Sequence, residues 1–347
     1  MRFEEALSNY GNLVDSRLEA CFRELVWDAE KYHSFIGRVY AHAAEFLLRK
    51  GKRIASYSTL LTYKGYKGMV NEEILTVCVA VEFYRHSILV HDDLIDRDEM
   101  RRGGKSFHKL FAEFNDRFGE GLAVFTGNIL LALALTTLLN AGFDRRTLQE
   151  AVKLLIKDYC AVNESQILDL LFEHKEPDVE EWKVMASKRA ASLFRATLGI
   201  GAILGGAPSS DLRILEQAGT CMGYSFDIQD DIIGTFATED QYGRPTGGDI
   251  MLRKKPLHMV YAYQMLRGRR LSLLKSLLRG GSLDQGDVMR IKEIIRRSGA
   301  LDKAKQTARS YAREAVRLIR ATAMSEEAKA SLQGLIKFVV GSLDWYK

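Results

Sequence analysis

The 347-residue chain carries a net charge of +5, with Lys and Arg mixed among Asp and Glu throughout. No basic stretch is interleaved with aromatics, which argues against nucleic acid, and the mild basic excess suits polyanionic small molecules. Cys21, Cys78, Cys160 and Cys221 are isolated, with no CxxC pair, so reduced thiols in a cytoplasmic protein are expected. The acids Glu4 and Glu5 are unlike a signal peptide.

Almost all of the sequence reads at helical period, and no run alternates convincingly as a strand. Helices are expected over 12–30, 33–50, 54–65, 71–97, 104–118, 121–141, 145–173, 178–205, 209–236, 255–279, 286–298, 300–322 and 325–345. The four prolines, at 177, 208, 245 and 256, all fall between periodic segments, and Pro177-Asp178 and Pro208-Ser209 are helix-start signals. The reading is one large all-α domain over 1–347. The stretch 121–141 holds no charge and approaches the length of a membrane span. It contains Thr126, Asn128, Thr136, Thr137 and Asn140 and has no companion, so a central buried helix is expected, not a span. The polar, Gly-rich segment 237–255 reads as a mobile loop.

Two acidic clusters interrupt apolar runs. One is Asp92-Asp93-Leu94-Ile95-Asp96, with His91 before it and Arg101-Arg102-Gly103 after it. The other is Asp227-Ile228-Gln229-Asp230-Asp231. At helical spacing Asp92 and Asp96 share a face, and so do Asp227, Asp230 and Asp231. Like charges so placed cost roughly 0.2–0.5 kcal/mol per pair on an open surface, and more when buried. Hard divalent cations offset such repulsion, and Mg2+ prefers one or two carboxylates plus water and substrate phosphates. His91, His86 and His108 read as hydrogen-bonded packing histidines.

Together with Gly51-Lys52-Arg53, Gln166-Ile167-Leu168-Asp169, Lys188, Phe226 and Gly248-Asp249-Ile250 before Lys254, these clusters form an ordered set. The set resembles the trans-isoprenyl diphosphate synthases, or polyprenyl synthetases, over about 51–255. The resemblance implies an all-α isoprenoid-synthase bundle with a central cavity, assembled as a homodimer. It implies a prenyltransferase that joins an allylic diphosphate to isopentenyl diphosphate by ionisation, condensation and elimination, with three Mg2+ ions offsetting the charge of departing pyrophosphate. By family position, Asp92, Asp96 and Asp230 are metal ligands, supported by Asp93 and Asp231. Arg101, Lys188, Arg244 and Lys254 hold the allylic diphosphate, with Lys188 also counted as catalytic beside Asp92, Asp96 and Asp230. Lys52 and Arg102 hold isopentenyl diphosphate, and Asp169 orients Arg101.

The chain departs from that pattern. Ala55 stands where an arginine is usual, and Arg85 where histidine or glutamine is usual. Arg189 follows the expected active-site lysine, Asp227 replaces a glutamine, and Gly234 replaces the last aspartate of the second motif. Arg85 is expected to make up the charge missing at Ala55 in the isopentenyl diphosphate pocket, and Arg189 and Asp227 to pair with each other. Product length is expected to be set on the helix before Asp92. Small Ser87, with Ile88, leaves the tunnel open, and Phe83 and Tyr84, about one turn of ~5.4 Å further, stop it. That favours geranylgeranyl diphosphate. Alternatives are a longer-chain synthase, a terpene synthase-like lyase, and a weakly active partner subunit of a heteromeric synthase.

Overall fold

The structure, a computed structural model, describes residues 3–49, 51–111, 113–238, 246–280 and 283–341. Its helices begin where side chains can take up the unpaired amides of a first turn. Asn71 Oδ1 accepts from the Ile74 amide at 3.2 Å, and Asp144 Oδ1 from Thr147 at 3.0 Å. Asp178 and Glu181 cap each other reciprocally. In chain order these elements are α1 (Phe3–Tyr32), α2 (Ser34–Leu48), α3 (Ile54–Lys67), α4 (Glu72–Ile95), a hairpin of β1 (Met100–Arg101) and β2 (Gly104–Lys105), α5 (Phe107–Leu110), α6 (Asp116–Leu139), α7 (Arg145–Glu173), α8 (Val179–Ala186), α9 (Ala190–Gly205) and α10 (Ser209–Phe236). Shorter helices follow at Gly248–Met251, Leu257–Met265, Gly268–Arg279 and Gln285–Ser298, then longer ones at Ala300–Arg320 and Glu326–Gly341.

Two apolar cores hold this arrangement. The larger joins α1 to α4, α6, α7, α9 and most of α10 with the C-terminal helices. The smaller gathers α8, the end of α10 and the helices between 257 and 308. α4 is apolar on nearly every face and lies in the larger core, as an all-round apolar helix should.

Five expectations about elements are corrected. The helix expected over 104–118 is a hairpin and a short helix. Arg102 and Gly103 have φ of 51° and 78°, and two consecutive residues in the left-handed region make the tight turn that suits a two-residue hairpin. Met100 pairs with Lys105 and Arg101 with Gly104. The helix expected over 178–205 breaks at Ser187–Arg189 into α8 and α9, and that over 255–279 breaks at Leu266–Arg267. The loop expected over 237–255 contains the helical turn Gly248–Met251, and its Lys254 and Lys255 are buried; residues 239–245, Arg244 among them, lie outside the described residues.

The fifth correction concerns 121–141. α6 is not a central buried helix. Both α4 and α6 are long and apolar enough to cross a membrane, but the most apolar stretch of α4 is 83% buried and that of α6 only 33%. α6 packs one side on α4, with Ala123, Leu130 and Ala134 buried, and leaves Phe118, Val124, Phe125 and Leu139 exposed.

Candidate active site

One cavity gathers most of the expected site residues. Glu82, Arg85, Leu89, Asp92 and Asp96 of α4 line it at three- and four-residue steps, a single helix face. Val162, Gln166 and Asp169 come from α7, Arg189, Ala190, Leu193 and Phe194 from the start of α9, and Phe226, Asp227, Asp230 and Asp231 from α10. Lys52 and Ala55 border it from α3 and the residues before it. Arg101 and Arg102 enter from the hairpin, and Asp249 and Lys254 from the segment after α10.

The packing that brings α9 and α10 together is legible in glycine. A Cβ at Gly223 would lie 2.2 Å from the Ala191 Cα, and one at Gly219 would lie 2.8 Å from the Arg195 amide nitrogen. Gly219, Gly223 and Asp227 follow at four-residue steps, so the stripe that lets the helices touch ends at the acid facing Arg189. The break between α8 and α9 is fastened by Arg195, which donates to the Ser187 carbonyl at 3.0 Å and to buried Asp158 at 2.9 Å.

That break decides which cation enters the cavity. Lys188, expected there, is not among the cavity-lining residues; it is about half exposed and ion-paired with Glu164. Its neighbour Arg189 takes the place. Arg189 Nε donates to Asp227 Oδ1 at 2.6 Å, one terminal nitrogen to Asp231 Oδ2 at 3.0 Å, and the other to Asp169 Oδ1 at 3.4 Å. The expected Arg189–Asp227 pair is therefore formed. Lys254 Nζ donates to Asp96 Oδ1 at 2.6 Å and lies 3.2 Å from Asp169 Oδ2. An alternating chain runs Asp96, Lys254, Asp169, Arg189, then Asp227 and Asp231. Burial works against the Asp169 carboxylate, but Lys254 and Arg189 beside it hold its pKa below the usual range. Asp169 thus orients Lys254 and Arg189, not Arg101 as expected.

Arg101 is held by acids of its own. It donates through Nε to Asp93 Oδ1 at 2.7 Å and lies 3.8 Å from Asp92 and 3.5 Å from Asp98. Asp93 is fully buried and does not line the cavity, so its carboxylate supports Arg101 and is not directed at a metal. Arg102 passes close over Gly51, whose absent Cβ would lie 2.7 Å from the guanidinium, and approaches His86 Nε2 at 3.2 Å. Burial, with Arg53 and Arg101 nearby, brings Arg102 down to about 10. His86 is a packing histidine, with Nδ1 2.8 Å from the Glu82 carbonyl. Burial, with Arg102 close by, keeps it neutral.

Some residues with structural roles at the site were missed from sequence. Arg49 donates to the Arg101 and Lys105 carbonyls at 3.1 and 2.7 Å and fastens the hairpin. Glu82 lines the cavity while accepting from Arg53 at 3.0 Å; Gln166, which belonged to the ordered set read from sequence, donates to Asp92 Oδ1. Arg49 carries no signal beyond its nearness to Gly51. Glu82 was visible as an acid inside an apolar helix, ten residues before Asp92.

At the apolar end, Ile88 lines both the main cavity and a side branch bounded by Tyr159, Val162 and Asn163. Ser87 and Tyr84 are buried just behind that wall, and the Tyr84 ring meets the Tyr159 ring edge-on at 6.0 Å. Phe83 does not belong to this wall. It points to α1 and meets the Phe22 ring at 5.5 Å, because residues 83 and 84 lie 100° apart on a helix.

The acids fit a divalent cation. Among the described residues no three His, Cys, Asp or Glu side chains form a ready-made metal cluster, which accords with an ion that takes one or two carboxylates and completes its shell from water and phosphate. Burial, with Asp92 one turn away, pushes Asp96 up to about 8; a cation there would relieve that cost. Among the described residues, buried Asp227 Oδ2 has no hydrogen-bond partner.

An all-α fold whose cavity joins two acid clusters, a ring of cations and an apolar end is that of the isoprenoid synthase class. The chain belongs to the polyprenyl synthetase family, whose model matches residues 38–295, and it is an enzyme that transfers prenyl groups. It is 30% identical over 261 residues to the short chain isoprenyl diphosphate synthase of Methanocaldococcus jannaschii, covering 75% of this chain and 77% of that protein. It is 30% identical over 296 residues to the geranylfarnesyl diphosphate synthase of Aeropyrum pernix, covering 84% and 90%. The fold matches geranylgeranyl pyrophosphate synthase of Corynebacterium glutamicum, solved with isoprenyl diphosphate and magnesium, at a TM-score of 0.90 and 22% identity over 98% of this chain and 99% of that one.

Proposed function

We propose that the protein condenses an allylic diphosphate with isopentenyl diphosphate, with geranylgeranyl diphosphate as its main product. The observation that carries this reading is the meeting of Asp92 and Asp96 with Asp227, Asp230 and Asp231 across one cavity that is cationic around them and apolar at one end. Asp92, Asp96 and Asp230, with Asp231 beside them, would hold Mg2+, which supplies Lewis-acid neutralisation of charge on the departing diphosphate. Arg101, Arg189 and Lys254 bind and orient the allylic diphosphate. Lys52, Arg85 and Arg102 bind the second diphosphate, and this second cationic group disfavours a lyase, which needs one anion pocket. Leu89, Leu193, Phe194 and Phe226 exclude water from the reacting carbons, where an allylic cation would otherwise be quenched.

The twenty-carbon product is supported by small Ser87 next to Ile88, with the Tyr84–Tyr159 pair behind them. We also read the protein as a homodimer. Phe118, Val124 and Phe125 on α6, and Ile156, Ile167 and Leu171 on α7, are large apolar side chains left exposed, and burying them against a second copy would be favourable.

Purified protein with Mg2+, labelled isopentenyl diphosphate and a series of primers tests the reaction. Asp92→Ala and Asp230→Ala should each lose about 10²–10³-fold or more in turnover while keeping a folded circular-dichroism spectrum. Near-normal turnover in either, or full activity in excess chelator, refutes the reading. In the same assay Ser87→Phe should shorten the main product and Tyr84→Ala should lengthen it; unchanged products in both would refute the tunnel assignment.

A further inference from the structure

We infer that Arg189 is a built-in counter-ion that exchanges partners, guarding the second acid cluster before metal arrives and turning to diphosphate afterwards. The inference rests on the site reading above and deepens it.

Three observations lead to it. Arg189 spreads its guanidinium over three carboxylates of two helices, Asp227 and Asp231 on α10 and Asp169 on α7. A guanidinium has a planar fork of donors that a single ammonium lacks, so it can satisfy this many acids at once. Asp169 is shared: Arg189 binds its Oδ1, and Lys254 is near its Oδ2. The acid that Arg189 shares with Lys254 is thus separate from the pair on α10 that metal would draw away. Finally, Asp227 uses only Oδ1 on Arg189, and its buried Oδ2 has no hydrogen-bond partner among the described residues. The acid cluster therefore retains acceptor capacity while its charge is offset by arginine.

A cation that binds Asp230 or Asp231 competes with this guanidinium for the same negative charge. Once it does, Arg189 loses part of its hold on α10 but keeps Asp169 as an anchor at the cavity wall. Its freed donors then face whatever phosphate oxygens enter. Metal is thereby made weaker on its own, and diphosphate is made stronger once metal is present. Such an exchange couples the two ligands through one side chain. It also gives the arginine at 189 a task that a lysine, with one nitrogen, would perform less well.

The test uses R189Q and R189K, with K183Q as a control because Lys183, paired with Glu180 on α8, lies outside the cavity. Mg2+ alone is titrated by calorimetry into each protein, and inorganic pyrophosphate is titrated in saturating Mg2+. Melting curves establish that each variant is folded. R189Q should bind Mg2+ about tenfold more tightly and pyrophosphate about tenfold more weakly, the size of one lost charge-assisted contact. The opposite signs matter, because a merely structural role for Arg189 would weaken both. R189K should fall between wild type and R189Q in both titrations, and K183Q should match wild type. Mg2+ affinity that is unchanged or lower in folded R189Q overturns the exchange; if R189Q does not fold, unchanged Mg2+ affinity in R189K does so. Failure of wild type to bind pyrophosphate in Mg2+ would overturn the site reading instead, and the Mg2+-only comparison would still decide whether arginine and metal compete.

Discussion

Arg85 and Ala55 bring the proposed second diphosphate pocket down to single residues. Both border the cavity together with Lys52 and Arg102. A diphosphate needs several cationic donors, and a guanidinium grips phosphate oxygens in a forked way that an imidazole cannot. Arg85→His should therefore raise KM for isopentenyl diphosphate by about one to two powers of ten and change KM for the allylic substrate far less. Adding Ala55→Arg should recover much of the loss, since buried Ala55 faces the same space. Steady-state kinetics with each substrate varied in turn would check this. An unchanged KM in Arg85→His, or no rescue by the second change, would mean that the pocket draws its charge from elsewhere.

At the scale of elements, the site depends on how closely α9 and α10 approach. Gly223→Ala would drive a methyl into the Ala191 backbone, which cannot give way without moving the helix. The cost should be about 1–3 kcal/mol, and Arg189 and Asp227 should be pulled apart with it, so activity should fall along with stability. Gly199→Ala is the matched control. Its added methyl would meet only the far end of Leu154, a flexible side chain, and alanine favours helix. Denaturant melts and turnover on the two variants should separate cleanly; equal effects would show that backbone approach is not what holds the pair. The hairpin makes a similar point. Arg102 and Gly103 both turn through positive φ, and that turn sends Arg101 to Asp93 and Arg102 over Gly51.

For the whole molecule, two predictions concern assembly and acid stability. If a second copy covers α6 and α7, wild type should sediment as a dimer and Phe125→Glu should shift it toward monomer. A monomeric wild type that binds neutral lipid vesicles through this face would instead make the cover a membrane. His258 is fully buried beside the Phe236 ring at 5.2 Å, with no hydrogen-bond partner for either ring nitrogen among the described residues. Burial brings its pKa down to about 3. In the unfolded chain it takes up a proton near its ordinary value of about 6.5, while in the fold it stays neutral until about 3. The unfolded state therefore binds more protons across that window. Stability is fully present above about 6.5 and is lost as pH falls toward 3, by at most about 1.4 kcal/mol per unit from this group. His258→Leu should flatten the stability profile between pH 6 and 4 in denaturant titrations. An unchanged slope would place the acid sensitivity in other groups.

Sequence by itself determined the all-α class, because helical period and the scarcity of proline recur along nearly the whole chain. It also determined that Asp92 and Asp96 share a face, because that depends only on 3.6 residues per turn. It identified the second acid cluster and the family as well, since both rest on local strings of residues. What it misjudged depends on contacts between distant segments. Lys188 and Arg189 are adjacent cations, and only the break fastened by Arg195 to Ser187 and Asp158 turns Arg189 inward and Lys188 out to Glu164. Phe83 and Tyr84 are adjacent aromatics, and only the positions of α1 and α7 send one to Phe22 and the other to Tyr159. The uncharged run in α6 carried the composition of a core helix, yet its place at the edge of α4 leaves most of it uncovered. Composition and period report what a segment is able to bury; which neighbours reach it, and from which side, is decided by the packing of the whole chain.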